Sequence, residues 1–277
     1  MTVRKISALV LALLAAGTAQ AAPVVINAAS TTSYTQSFDA LTTSTTASTW
    51  ANDSSLAGWS LFTGAGAAIT THVAGTGSSN TGSFYSFGTG TNSERALGSA
   101  ASGGAYFGSP ANDAPAGFIA LALTNAGTSA ISNFTLSYDG EQWRNGGNTT
   151  AQSLTVQYGF GSSFAAVTSW TAAGSAFNFT SPIATATAAA LDGNAAANRV
   201  AGLGGSVATN WAAGTTLWVR WTDLNDAGTD HGLAIDNLSF SVPAATITPE
   251  VPEPTSGVIA LAGLGVAGLV ARRRRAA

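Results

Sequence analysis

Through the middle of this chain, apolar and polar residues alternate in short bursts separated by Gly, Ser, Thr and Asn, a period-two pattern that belongs to strands. Within residues 131–138, Phe134, Leu136 and Tyr138 share one face, and residues 154–158 and 217–221 alternate in the same way. Ile119, Leu121 and Leu123 mark another strand. Further on, Ala234, Asp236, Leu238, Phe240 and Val242 fall on one face, with Ile235, Asn237 and Ser239 opposite. Weaker strand signals surround residues 37–38, 59–62, 84–87 and 105–107. Asp139-Gly140, Asp192-Gly193 and Asn145-Gly146-Gly147 predict turns. Helical signal is confined to the alanine-rich residues 184–190, where threonines and the nearby Pro182 weaken it. About eight to ten short strands predict an all-β fold: a two-sheet antiparallel β-sandwich of jelly-roll type, with apolar faces inward and Ser/Thr faces wet. No internal repeat points to a solenoid or propeller.

The two ends read differently. Arg4 and Lys5 precede an uncharged apolar run over residues 6–16, and Ala19-Gln20-Ala21 follows as a small-x-small site. That order predicts a signal peptide over residues 1–21, removed by signal peptidase so that the mature chain starts at Ala22. At the other end, Val251-Pro252-Glu253-Pro254 leads into a glycine-rich apolar run, and Arg272, Arg273, Arg274 and Arg275 follow. As a helix, residues 255–271 span roughly 25 Å at about 1.5 Å per residue. A transmembrane helix of that length is slightly short of the hydrocarbon core, so local thinning or arginine snorkelling closes the gap. The arginine block stays on the cytoplasmic side and leaves the preceding domain outside. The predicted organisation is therefore a signal peptide (1–21), an exported β-sandwich domain (22–243), an extended linker (244–250) and a membrane tail (251–277).

The V-P-E-P sequence, the short glycine-rich apolar helix and the terminal arginine cluster together resemble the PEP-CTERM sorting domain. The resemblance covers only the last residues, from Val251 onward. It implies that an exosortase recognises Pro252, Glu253 and Pro254 and processes the tail. It also implies delivery to the cell surface or extracellular matrix of a Gram-negative bacterium that makes exopolysaccharide. Looser likenesses run through the middle, in F-x-L-S-Y-D-G-E-Q-W-R-N-G-G, A-L-D-G-N-A-A-A-N-R and R-W-T-D-L-N-D-A-G-T-D-H-G-L-A-I-D-N-L-S-F. These resemble uncharacterised secreted bacterial domains found beside such tails, and they imply a fold and an exported habitat, not an activity.

Composition narrows the partners. The chain has 277 residues and a formal net charge of −3, but six of its ten cations lie in the two terminal signals. Arg95, Arg144, Arg199 and Arg220 are the only cations of the exported domain, so it is acidic and nucleic acid is not expected as a partner. There is no cysteine, which excludes disulfides, thiol catalysis and cysteine-bound metal.

Two polar constellations stand out. Asp223, Asn225, Asp226, Asp230, His231 and Asp236 form a dense cluster whose oxygens suit Ca2+, with Asp39 from an early strand placed to complete the shell. The spacing is not that of an EF-hand, and the alternative is that these residues simply make turns. Asp236 is singled out because it falls on the predicted face of Leu238 and Phe240, where a carboxylate needs a metal, a cation or backbone donors. In the second constellation, Trp143 offers a stacking platform for a sugar ring, with Glu141 and Arg144 to bond its hydroxyls. The alternative is a buried Trp143, with Glu141 paired to Arg144 or Arg220.

No catalytic motif is present: there is no G-x-S-x-G elbow, P-loop or H-E-x-x-H. The expected function is a non-enzymatic surface or matrix protein associated with exopolysaccharide. Two alternatives are a secreted hydrolase working through paired carboxylates, and a calcium-stabilised spacer without a ligand of its own.

Overall fold

Sixteen strands account for the described chain in the computed structural model, which describes residues 23–90 and 92–245. In chain order they are β1 (Val24–Ile26), β2 (Ser33–Gln36), β3 (Ser48–Thr49), β4 (Trp59–Thr63), β5 (Thr71–Gly75), β6 (Ser83–Phe87), β7 (Ala96–Ala100) and β8 (Pro115–Asn125). Then follow β9 (Ile131–Asn145), β10 (Ser153–Phe160), β11 (Thr171–Ala172), β12 (Phe179–Thr180), β13 (Ala189–Ala190), β14 (Arg199–Trp211), β15 (Thr216–Leu224) and β16 (Gly232–Ser241). The expected signal peptide, the expected tail helix and most of the expected linker lie outside the described residues. Among those described, no helix is long and apolar enough to cross a membrane.

The strands form two sheets packed as a sandwich. One runs β1-β8-β15-β10-β11, with β4 also on β8 and β12 on β10. The other runs β13-β9-β16-β7-β6-β5-β3, with β14 on β9 and β2 on β16. Both sheets are mixed, because β1 joins β8 and β5 joins β6 in parallel. The expected purely antiparallel pairing is corrected at those two places, where a strand returns by a longer connection instead of a hairpin.

Between the sheets lies the main core, built from the alternating positions that the sequence exposes. Phe134, Leu136 and Tyr138 of β9 meet Leu121 and Leu123 of β8, Trp221 of β15 and Phe240 of β16. Trp59 stacks on Trp221 with ring centroids 5.7 Å apart, and Tyr138 meets Trp221 edge-on at 5.6 Å. Two smaller apolar clusters cover the outer faces. One gathers Tyr85, Phe87, Ala96, Ala100, Trp143 and Ala234. The other gathers Phe118, Phe164 and Trp218, with Trp170 packed against it.

Local departures from the predicted elements have identifiable causes. Asp139-Gly140 makes no turn, because β9 runs straight through it to Asn145 and is paired on both sides by β14 and β16. Residues 105–107 form a single 3-10 turn ending at Gly108 in the left-handed region. Residues 184–190 are not helical and run extended into β13.

The departure that matters most is in β16. Between Asp236 and Ser239 its pairing with β9 shifts by one residue, and Asn237 there has φ +48°. This is a β-bulge, and an extra residue reverses the in/out alternation beyond it. Leu233 and Ile235 before the bulge and Leu238 and Phe240 after it all reach the main core. Ala234 packs in the outer cluster, and Asp236 shares its side of the strand. The expectation that Asp236 lies on the face of Leu238 and Phe240 is therefore wrong, since strict alternation was assumed across a residue that breaks it.

Candidate functional site

Asp236 lies on the side of the sheet where Glu141 of β9 stands opposite Ala234, two residues back along β16. Glu94, in the connection leading into β7, closes over them. Glu94, Glu141 and Asp236 each offer a carboxylate oxygen, and these oxygens lie within 4.8 Å of one another. Glu141 is 0% exposed and Asp236 3%. One oxygen of each residue, Oε1 of Glu94, Oε1 of Glu141 and Oδ1 of Asp236, is buried without a hydrogen-bond partner.

The second oxygens of the two glutamates are engaged. Trp143 Nε1–H donates to Glu141 Oε2 at 2.9 Å, and Asn194 Nδ2 donates to Glu94 Oε2. These bonds hold both carboxylates in place and leave one oxygen of each without a partner. No cation forms an ion pair with them, although the charge of Arg199 acts on Glu141 and that of Arg95 on Glu94. The one ion pair among the described residues joins Arg199 to Asp139 at 3.8 Å, and Arg95 instead donates from Nη2 to Gly90 O. Two ionised carboxylates at about 5 Å repel by roughly 3–4 kcal/mol even at an effective dielectric near 20. Burial pushes Glu141 up to about 7, opposed by the Trp143 bond and reinforced by the charge of Glu94. Burial pushes Asp236 up to about 8, opposed by the Asn237 backbone and reinforced by Glu141, Glu94 and Asp39.

The sequence placed Asp236 in a cluster with Asp223, Asp226 and Asp230. The structure separates Asp236 from the other three, which remain neighbours of one another. Asp223 of β15 is buried and accepts a 2.6 Å bond from the Ser99 hydroxyl of β7. Asp230 Oδ1 caps the Asp226 backbone N–H at 2.9 Å, the turn-making alternative. His231 Nδ1 accepts from the Gly146 N–H, and Asn225 Nδ2 donates to Pro110 O. Asp39 does come beside β16, because β2 pairs with it, but its Oδ1 accepts from the Arg95 N–H at 3.2 Å. Among the described residues, only Glu94, Glu141 and Asp236 gather as three such ligands. Glu94 was missed because it sits in a loop far away in sequence and has no local spacing to betray it.

The sugar-platform reading of Trp143 is also corrected. Its ring is 0% exposed. It stacks on Phe87 with centroids 5.9 Å apart and an interplanar angle of 3°. A Cβ on Gly193 would lie only 2.3 Å from Trp143 Nε1, so the 191–198 segment closes against the indole edge, and only glycine fits there. Glu141 pairs with neither Arg144 nor Arg220. Arg144 Nη1 donates to the carbonyls of Gly77 and Ser78, while Arg220 donates to Gln157 and stacks between Phe118 and Trp170.

A groove of about 590 Å³ opens beside β5 and β6. Its lining combines Val73 and Ala47 with hydroxyls from Thr45, Ser78, Thr81 and Tyr106, and it contains no Asp, Glu, Lys or Arg. His72 also lines it, with neither ring nitrogen hydrogen-bonded, and burial pushes its imidazole toward the neutral form. A second cavity of about 530 Å³ includes Asp230 and Arg144. Neither cavity is lined by any of the three clustered carboxylates.

By class, then, this is an all-β sandwich protein with a buried carboxylate cluster on one outer sheet face. Residues 250–275 match the PEP-CTERM protein-sorting motif, so the chain carries that motif. It implies an exported, membrane-anchored precursor processed by an exosortase into an extracellular protein. No curated protein matches the chain. Among solved structures, the chain is similar to the CBM22-1 xylan-binding domain from Paenibacillus barcinonensis Xyn10C. The two share 7% identity with a TM-score of 0.35, over 76% of this chain and 94% of that one. A likeness so distant bears on neither ligand nor activity.

Proposed function

We propose that the mature protein is a non-enzymatic component of the cell surface or extracellular matrix that associates with exopolysaccharide through the β5–β6 groove. One observation carries the reading. The groove, of about 590 Å³, is lined by hydroxyls and by Tyr85 and Tyr106, with no charged side chain. A neutral lining of this kind suits sugar hydroxyls, which exchange hydrogen bonds with Ser, Thr and Tyr while their C–H faces rest on apolar carbons. The hydrolase alternative needs two carboxylates facing one cleft. The groove has none, and the polar cavity has only Asp230.

The test is retention on exopolysaccharide from the producing organism. Wild-type protein is expected to bind. Ala47→Arg places a bulky cation in the groove from an exposed position, and is expected to abolish binding without lowering the melting temperature. If neither protein is retained, or both are, the groove is not a saccharide site. Release of reducing ends from the polymer by wild-type protein would overturn the non-enzymatic part.

A further inference from the structure

We infer that Glu94, Glu141 and Asp236 form a binding site for one calcium ion, which ties the loop before β7 to the β9–β16 pair. An acidic cluster alone would not carry this, because exposed carboxylates gather often and are satisfied by water. Here the two on the sheet are sealed from solvent, at 0% and 3% exposure; each carries an oxygen with no partner, and the carboxylates approach one another within 4.8 Å. A buried anionic oxygen without a donor is costly, and three of them on neighbouring carboxylates are costlier still. A cation held among the carboxylates satisfies all three together.

No arginine of the described residues makes an ion pair or hydrogen bond with the three carboxylates: Arg144 bonds the 77–78 backbone, Arg199 pairs with Asp139, Arg220 bonds Gln157, and Arg95 bonds Gly90 O while its Nε and Nη1 stay buried without a partner. Arg199 and Arg95 act on Glu141 and Glu94 through space alone, by charge. The donor set selects the metal. It is all oxygen, with no thiolate in the chain and no imidazole in the cluster, so it is hard and suits Ca2+ over Zn2+. Mg2+ demands strict octahedral geometry at short distances, which carboxylates spread over a loop and two strands serve poorly, whereas Ca2+ tolerates an irregular shell of about six to eight oxygens that water entering past the half-buried Glu94 would complete. The Trp143 and Asn194 bonds orient the carboxylates as outer partners do at metal centres. The bulge at Asn237 lets Asp236 face the outer side while Leu238 and Phe240 beyond it still reach the main core.

Trp143 also supplies a probe, because an indole bonded to a ligand carboxylate is positioned to sensitise Tb3+ in the site. The full-length chain, purified in detergent and stripped with EDTA, is expected to show indole-sensitised Tb3+ luminescence that Ca2+ displaces at one equivalent. Its melting midpoint is expected to be higher in Ca2+ than in EDTA. Glu94→Gln alters a half-buried loop residue, so the sandwich still folds, and it is expected to weaken Ca2+ affinity at least about tenfold. Asp236→Asn should do the same. The site is refuted if Ca2+ neither displaces Tb3+ nor moves the midpoint, which would leave protons shared among the carboxyls as the compensation. It is equally refuted if Glu94→Gln binds Ca2+ as wild type does. Each readout is made without polysaccharide, so it stands or falls independently of the groove.

Discussion

Truncating Trp143 to alanine separates a structural tryptophan from a ligand platform, and its cost can be worked from the surroundings. The indole is wholly buried between Phe87 and the segment at Gly193, and its N–H is one of two hydrogen bonds that orient the carboxylate cluster. Removing a buried aromatic side chain costs about 3–5 kcal/mol in lost transfer energy and cavity. Leaving Glu141 Oε2 without its donor adds about 1–3 kcal/mol. The sum is comparable to half the stability of a typical domain, about 5–15 kcal/mol. Trp143→Phe keeps the stack on Phe87 and removes only the N–H, so it should cost about 1–3 kcal/mol. Equilibrium denaturation in guanidinium chloride, followed by circular dichroism, measures both. The expected order is wild type, then Phe, then Ala, with polysaccharide retention unchanged while the protein stays folded. A change below about 1 kcal/mol for Trp143→Ala, accompanied by lost retention, would refute the burial argument and return the ring to the surface.

Two further outcomes follow from the same region. In EDTA, stability should fall as pH rises from about 4 to 8. Glu141 and Asp236 are raised to about 7 and about 8 from ordinary values of 4.5 and 3.8, so across that window the folded state holds protons that the unfolded chain has released. Each contributes a loss of up to about 1.4 kcal/mol per pH unit, while His72 and His231, lowered by burial, act in the opposite sense below about 6.5. Denaturation midpoints at a series of pH values check the slope, and a rise in stability over that window would contradict it. At the bulge, Asn237→Val forces a β-branched residue to φ +48° and also removes the Asn237 Nδ2–H bond to Asp139 Oδ2. It should destabilise by about 2 kcal/mol, whereas Asn237→Gly should lose less than 1 kcal/mol. Equal midpoints for the two variants would show that the left-handed conformation is not required.

Much of this protein is written in local pattern. The alternation in β8, β9, β10 and β15 is visible without a structure because each side chain reports its own face, and the sandwich class follows from the number and brevity of such runs. The sorting motif is also local, since its proline–glutamate–proline element, apolar run and arginines stand in fixed order within residues 250–275. What alternation cannot report is a change of phase. At Asn237 one extra residue inverts the rest of β16, and Asn between Asp and Leu gives no stronger signal for a bulge than for an ordinary exposed position. Burial of Trp143 was equally illegible, because what covers it is Phe87 from another strand and a glycine from a distant loop.

The carboxylate cluster divides in the same way. Composition announced an acidic, cysteine-free domain suited to hard cations, and it singled out Asp236 as a carboxylate that needed a partner. Which carboxylates meet was decided by the tertiary structure, through strand order, a register shift and a returning loop. Proximity in sequence grouped Asp223, Asp226 and Asp230, which stay neighbours but spend their oxygens on Ser99 and on a loop backbone. Proximity in space grouped Glu94, Glu141 and Asp236, because β7, β16 and β9 lie side by side in one sheet. Local residue chemistry sets what a segment prefers, but the long-range pairing of strands sets which charges must share a buried volume.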